Sequence, residues 1–161
     1  MDTVTSAQVI NKEGLLKHWQ GHRNLTRRVI EAFPEKELFG FSIGGMRPFS
    51  QLAMELLSIG GPAMESIVKN ESSPYSEEAF LLSTKEQILA RWDEQTAVIA
   101  TYFNQLPTER FSESFNLFGQ YAFPIIENIF YFIDNEIHHR GQGYVYLRAL
   151  GIEPPMFWER D

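Results

Sequence analysis

The chain has 161 residues, 43% of them apolar and 22% charged, with a formal net charge of -7 and no cysteine. That length suffices for one buried core of ordinary size, and 14 basic against 21 acidic residues argue against a phosphate-neutralising surface and so against nucleic acid as a partner. The missing cysteines exclude disulfides, thiolate metal ligands and a cysteine nucleophile.

Four helical segments follow in order. Over residues 11–33, Leu15, Leu16, Trp19, Leu25, Val29, Ile30 and Phe33 recur near the helical period, and Pro34 ends the run. Within this segment His18 and His22 stand four apart beside Lys17, Gln20 and Arg23, which reads as a solvated face. The stretch from Phe39 to Gly45 is too glycine-rich for a helix and reads as a loop. A second helix begins at Pro48, whose fixed φ suits a first turn, and runs to about Lys69. Gly60-Gly61-Pro62 predicts a kink or short break inside it.

A loop over residues 70–82 leads to Ser83-Thr84-Lys85-Glu86, a capping-box pattern in which Ser83 caps the third helix and Glu86 reaches back. Ile88, Trp92, Thr96, Ile99, Phe103 and Leu106 share one face of that helix, which Pro107 closes. Residues 111–122 read as a loop with room for a short extended piece. The fourth helix runs from Pro124 to about Leu150, with Gly151 as its stop. The expected fold class is all-α: one domain over residues 1–161, a four-helix bundle with a kinked second helix. No apolar run reaches the roughly 18 residues that span a bilayer, and Met1-Asp2-Thr3-Val4-Thr5 lacks the features of a signal peptide. The expectation is therefore a cytoplasmic protein with no membrane partner.

The fourth helix carries the chemistry. Two of the four histidines, His138 and His139, sit there beside Asp134, Asn135, Glu136, Arg140 and Gln142. Such groups are costly to desolvate unless they pair with one another or with an ion. At about 100° per residue, Asn128, Phe132, Asn135, His139 and Gln142 form one stripe, with Tyr131 and His138 on its shoulder. Ile126, Ile129, Ile133 and Ile137 lie opposite. Asn135 and His139 can thus address one point in the interior, either as a hydrogen-bonded polar layer or as part of a metal site. Gly141 and Gly143 each cost about 1 kcal/mol in a helix, which close approach of a backbone or ligand would offset.

Three segments together resemble the DinB/YfiT-like family of metal-binding four-helix bundles. The run from His138 through Arg148, with Leu150-Gly151 after it, is similar to the family's HHRGQ-x-x-x-YLR-x-x-G ending. Asn24-Leu25-Thr26-Arg27 matches the Thr-Arg pair of its first helix, and Met46-Arg47-Pro48-Phe49 resembles the opening of its second. The resemblance implies a metal triad of one histidine on the second helix and a His-x-x-x-His pair on the fourth. Carried over by position, those ligands are Glu55, Asn135 and His139, so only one remains histidine. Two oxygens and one nitrogen form a harder set than three imidazoles, suited to a weakly held divalent ion (Zn, Ni or Mn, with Mg conceivable).

The resemblance also implies a metal-dependent transferase or hydrolase acting on a small molecule, with a low-molecular-weight thiol as a candidate cosubstrate. His138 would then serve as acid or base, and Arg140 would bind an anionic group. The rival expectation is a non-catalytic bundle with a decayed metal site and a stress-related ligand-binding or association role. In that case Glu55 pairs with His139 or Arg140. Phe157, Trp158 and the Phe-rich stretch 111–118 predict a homodimer interface, which a monomer mass in solution would exclude.

Overall fold

The structure, a computed structural model, describes residues 8–161, so the N-terminal segment read above for a signal peptide lies outside it. Helix α1 spans Lys12–Ala32. Its free N-terminal donors are met by Asn11, whose side chain accepts from the Gly14 amide at 2.7 Å. Pro34 ends it and opens a short α2, Glu35–Gly40, in which Glu35 and Glu37 face the positive end of the helix dipole. The sequence reading placed no helix here, because a six-residue segment shows no periodicity.

Helix α3, Phe49–Lys69, runs through Pro62 without a break. Gly60 and Gly61 serve packing instead. A Cβ on Gly60 would stand 3.1 Å from Ile99 Cδ1, and one on Gly61 would collide with the Gln95 side chain of α4. Helix α4 spans Lys85–Gln105. Its cap is shifted by one residue from the expected box: Thr84 caps the Gln87 amide, and Gln87 reaches back to the amide of Ser83. The threonine has the extended backbone that a cap requires.

The stretch after Pro107 is ordered as well. Strands β1, Ser114–Leu117, and β2, Tyr121–Pro124, pair antiparallel from Leu117↔Tyr121 to Ser114↔Pro124. Phe115 and Leu117 are buried, and Phe111 and Phe118 pack against the same core. Phe115 is therefore core, with Phe111 and Phe118 partly buried against it, whereas Phe157 and Trp158 are exposed. Helix α5, Ile125–Ala149, follows directly and closes at Gly151 in the left-handed conformation, with the Ile152 amide bonded to the Leu147 carbonyl.

Helix α1 packs between α4 and α5, and α3 packs between the same two helices on the opposite side. Both long connections, over residues 33–48 and 106–124, thus cross a diagonal of the bundle. One end of the core gathers Trp19, Ile99, Phe103 and Ile129, and the other gathers Phe33, Phe49, Trp92 and Tyr146. A Cβ on Gly143 would lie 2.7 Å from the Phe49 ring, so this glycine buys close helix approach. Gly141 faces open space and has no such reason. No helix of the described residues is long and apolar enough to cross a membrane.

Candidate functional site

Buried between α1 and α3, α5 presents two polar faces, and they serve different purposes. On the α3 side, His139 Nε2 lies 3.0 Å from Glu55 Oε1. Glu55 Oε2 lies 2.6 Å from Arg47 Nη2, an arginine held just before α3 by the turn that Gly44 and Gly45 form at positive φ. The bond from the His139 ring, with the Arg47 guanidinium on the other oxygen, holds the Glu55 carboxyl down at about 2. An ionised Glu55 only accepts, so Nε2 is the donor in this pair, and Nδ1 lies on the far side of the ring. That Nδ1 is buried without a partner, and so is the amide nitrogen of Asn135 one turn earlier.

Of the expected set, Glu55 and His139 meet directly, and Asn135 lies one turn before His139 on α5. His138 and Asp134 are exposed. Arg140 belongs elsewhere. It is 5% exposed and donates to the His22 carbonyl and His22 Nδ1 of α1, so its guanidinium is committed to the core and not presented to a substrate.

Arg140 is part of the second face, against α1. There Glu136 accepts from Arg23 Nη1 at 3.2 Å and from Thr26 Oγ1 at 2.9 Å. Arg23 stacks on Trp92, with its guanidinium carbon 3.5 Å from the ring centre. The reading of His22 and Arg23 as solvated is corrected here, since both are buried, while His18 is exposed. The signal was present in the spacing: His22, Arg23 and Thr26 follow Leu15 and Trp19 at three and four residues. The Ile126–Ile137 stripe is corrected in the same way. Glu136 is buried and Ile137 is 39% exposed, because α5 is covered on two sides and no single stripe describes it.

Burial, with Arg140, His18 and Arg160 nearby, pushes the His22 imidazole from 6.5 down to about 3. A depressed pKa means that the unfolded chain binds the extra proton. Stability is then complete above pH 6.5 and is lost as pH falls from there towards 3. Between pH 6.5 and 5, above the window of Glu55, unfolding free energy is expected to fall by up to about 1.4 kcal/mol per pH unit. Denaturant titrations across that range check it. The slope should vanish in His22→Leu, and an unchanged slope there would contradict the assignment.

Glu55 and Arg47 form part of the wall of a cavity of about 530 Å³, completed by Tyr75, Glu77, Phe118, Tyr121 and Tyr131 among others. A smaller apolar cavity of about 310 Å³ adjoins it and shares Tyr121 and Tyr131. The hairpin places Tyr121, and its turn holds Phe118 at a φ of 56°, a strained conformation for a bulky residue. Such strain, costing on the order of 1 kcal/mol or more, clusters at functional sites. The sequence pattern singles out neither Tyr75, in a loop without periodicity, nor Tyr121, at the start of the short β2, and it reads Glu77 with Glu78 as a solvated patch, whereas Glu77 lines this cavity.

The arrangement defines a helical bundle with a polar centre between its second and last long helices, open to a small-molecule-sized cavity. The DinB family model matches residues 4–161, and the chain belongs to the DinB family. A DinB-like protein from Bacillus cereus ATCC 10987 superposes with a TM-score of 0.74 at 16% identity, covering 89% of this chain and 95% of that one. A DinB-like protein from Bacillus subtilis gives 0.71 at 19% identity, covering 91% and 99%. At these identities the likeness speaks for the fold alone. No curated protein matches the chain.

Among the described residues, no group of three or more His, Cys, Asp or Glu side chains comes together. A metal at the family position would have to use an amide as its third donor. The donors fit a weakly held ion: Glu55 Oε1 and His139 Nε2 stand as close as two ligands each about 2.1 Å from one divalent ion. The unpartnered Asn135 amide would supply an oxygen if its O and N were exchanged. Against this, Arg47 occupies the second carboxylate oxygen, and metal binding would have to displace the Nε2 proton.

Proposed function

We propose that this DinB-family protein binds a small molecule in the cavity above Glu55, and that the Arg47–Glu55–His139 chain is the polar centre of that site and needs no metal. One observation carries the reading: both carboxylate oxygens of Glu55 are engaged by protein groups, at 2.6 and 3.0 Å, on the wall of a cavity of ligand size. In this arrangement Glu55 orients the His139 ring, and the bond from that ring, with Arg47 on the other oxygen, keeps Glu55 ionised.

A second reading, a metal-dependent transferase or hydrolase, is favoured by the two unpartnered buried nitrogens of Asn135 and His139. Glu55, Asn135 and His139 would hold the ion, which would lower the pKa of a bound water or small thiol. Elemental analysis of protein purified without chelator or affinity tag separates the two readings. Substoichiometric metal is expected, in the parent and in His139→Ala alike. Near-stoichiometric metal that disappears in His139→Ala would overturn the first reading in favour of the second.

A further inference from the structure

The charges on the cavity wall do not cancel. Arg47 and Glu55 neutralise each other at 2.6 Å. Glu77 has only the phenol of Tyr75 as its partner, at 2.5 Å, and no ion pair among the described residues. A phenol donates a hydrogen bond but no charge, so the cavity keeps one uncompensated negative charge.

The remaining wall is aromatic: Tyr75, Phe118, Tyr121 and Tyr131. Tyr75 and Phe118 meet edge to face at 5.3 Å, which fixes both rings. Aromatic faces carry partial negative charge and attract cations, most of all where carboxylates stand nearby. Burial, followed by the hydrogen bond and charge of Glu77, raises the Tyr75 phenol above the ordinary tyrosine range, and burial, followed by the Glu55 carboxylate, raises that of Tyr131. The adjoining cavity shares Tyr121 and Tyr131 with this one and is lined besides by Leu117 and Phe123, with Glu127 and Asn128 at its polar side, so that most of its surface is apolar.

From the unpaired Glu77, the aromatic wall and the apolar annex, we infer that the site takes a small organic cation: an amine or quaternary ammonium head with a short hydrocarbon or aryl arm. The head lies among the tyrosines beside Glu77, and the arm enters the smaller cavity. This inference rests on the reading of the cavity as the ligand site. The chain's net charge of -7 favours the approach of such a ligand.

Three probes of similar shape decide it, titrated at equal ionic strength and followed by tyrosine fluorescence and NMR shifts: phenethylammonium, phenethyl alcohol and hydrocinnamate. Phenethylammonium is expected to bind roughly 5–10-fold more tightly than the alcohol, and hydrocinnamate most weakly, from one exposed charge plus cation–π contact. Glu77→Gln should bring the ammonium near parity with the alcohol. Tyr131→Leu should weaken the ammonium roughly 3-fold, within the range of an exposed cation–π contact. Equal binding of ammonium and alcohol, tighter binding of hydrocinnamate, or a preference unchanged in Glu77→Gln overturns the cation while leaving the cavity as a ligand site. If none of the three binds, the cavity reading falls with it.

Discussion

Glu136→Gln is expected to lower the unfolding free energy by about 3–5 kcal/mol, the cost of leaving a buried charge without its partner. Glu136 and Arg23 are 2% and 1% exposed, so water cannot replace the lost carboxylate charge. Burial already pushes the Arg23 guanidinium down from its ordinary value, and Glu136 is the main influence opposing that shift. Arg140 draws on the same carboxylate. Without it, two buried guanidinium groups have only neutral acceptors: Thr96 and the Trp92 carbonyl for one, His22 and Thr26 for the other. For a domain of this size the loss lowers Tm by roughly 6–20 °C. Urea unfolding of Glu136→Gln beside the double variant Glu136→Gln/Arg23→Met measures it. The double variant should recover part of the loss, because it removes one of the two orphaned charges, the one bonded directly to Glu136. A single variant within about 1 kcal/mol of the parent would show that the carboxylate's charge is not needed there.

Gly143→Ala is expected to cost about 1–3 kcal/mol through overpacking, even though alanine is the better helix former by about 1 kcal/mol. The added Cβ would stand 2.7–3.1 Å from three atoms of the Phe49 ring. That ring cannot move aside, being fully buried and stacked on Phe33 at 5.0 Å. Gly141→Ala provides the internal control, since open space surrounds Gly141 and only the helix-propensity gain remains. Thermal unfolding of the pair should shift Tm in opposite directions. Equal shifts would mean that the α3–α5 contact relaxes freely.

The two predictions bear on different parts of the molecule. The Glu136 network joins α5 to α1 and α4, and Gly143 sets how closely α5 approaches the N-terminal turn of α3, just beyond Arg47 and Pro48. Glu55 and His139 face each other across that second contact, so a ligand site there depends on a helix spacing set by a glycine.

The long helices were legible because their apolar residues recur at three and four positions and because Pro34, Pro107 and Gly151 punctuate them. The pairing of Glu55 with His139 was legible only through the resemblance, since the two residues lie 84 positions apart and no local pattern links them. Thr26 was singled out by the same resemblance, and its bond to Glu136 gives that position a physical reason.

Local periodicity thus determined the helices of this protein, their ends and the polar character of α5, because hydrogen bonding and side-chain direction within a helix depend on neighbours a few residues away. Tertiary structure alone decided which polar face of α5 meets which helix. It withdrew Arg140 and His22 into the core and brought Arg47, Glu77 and three tyrosines from separate loops and helices around Glu55. Those outcomes depend on helix order and on loops crossing the bundle, where the energy comes from contacts between residues far apart in the chain.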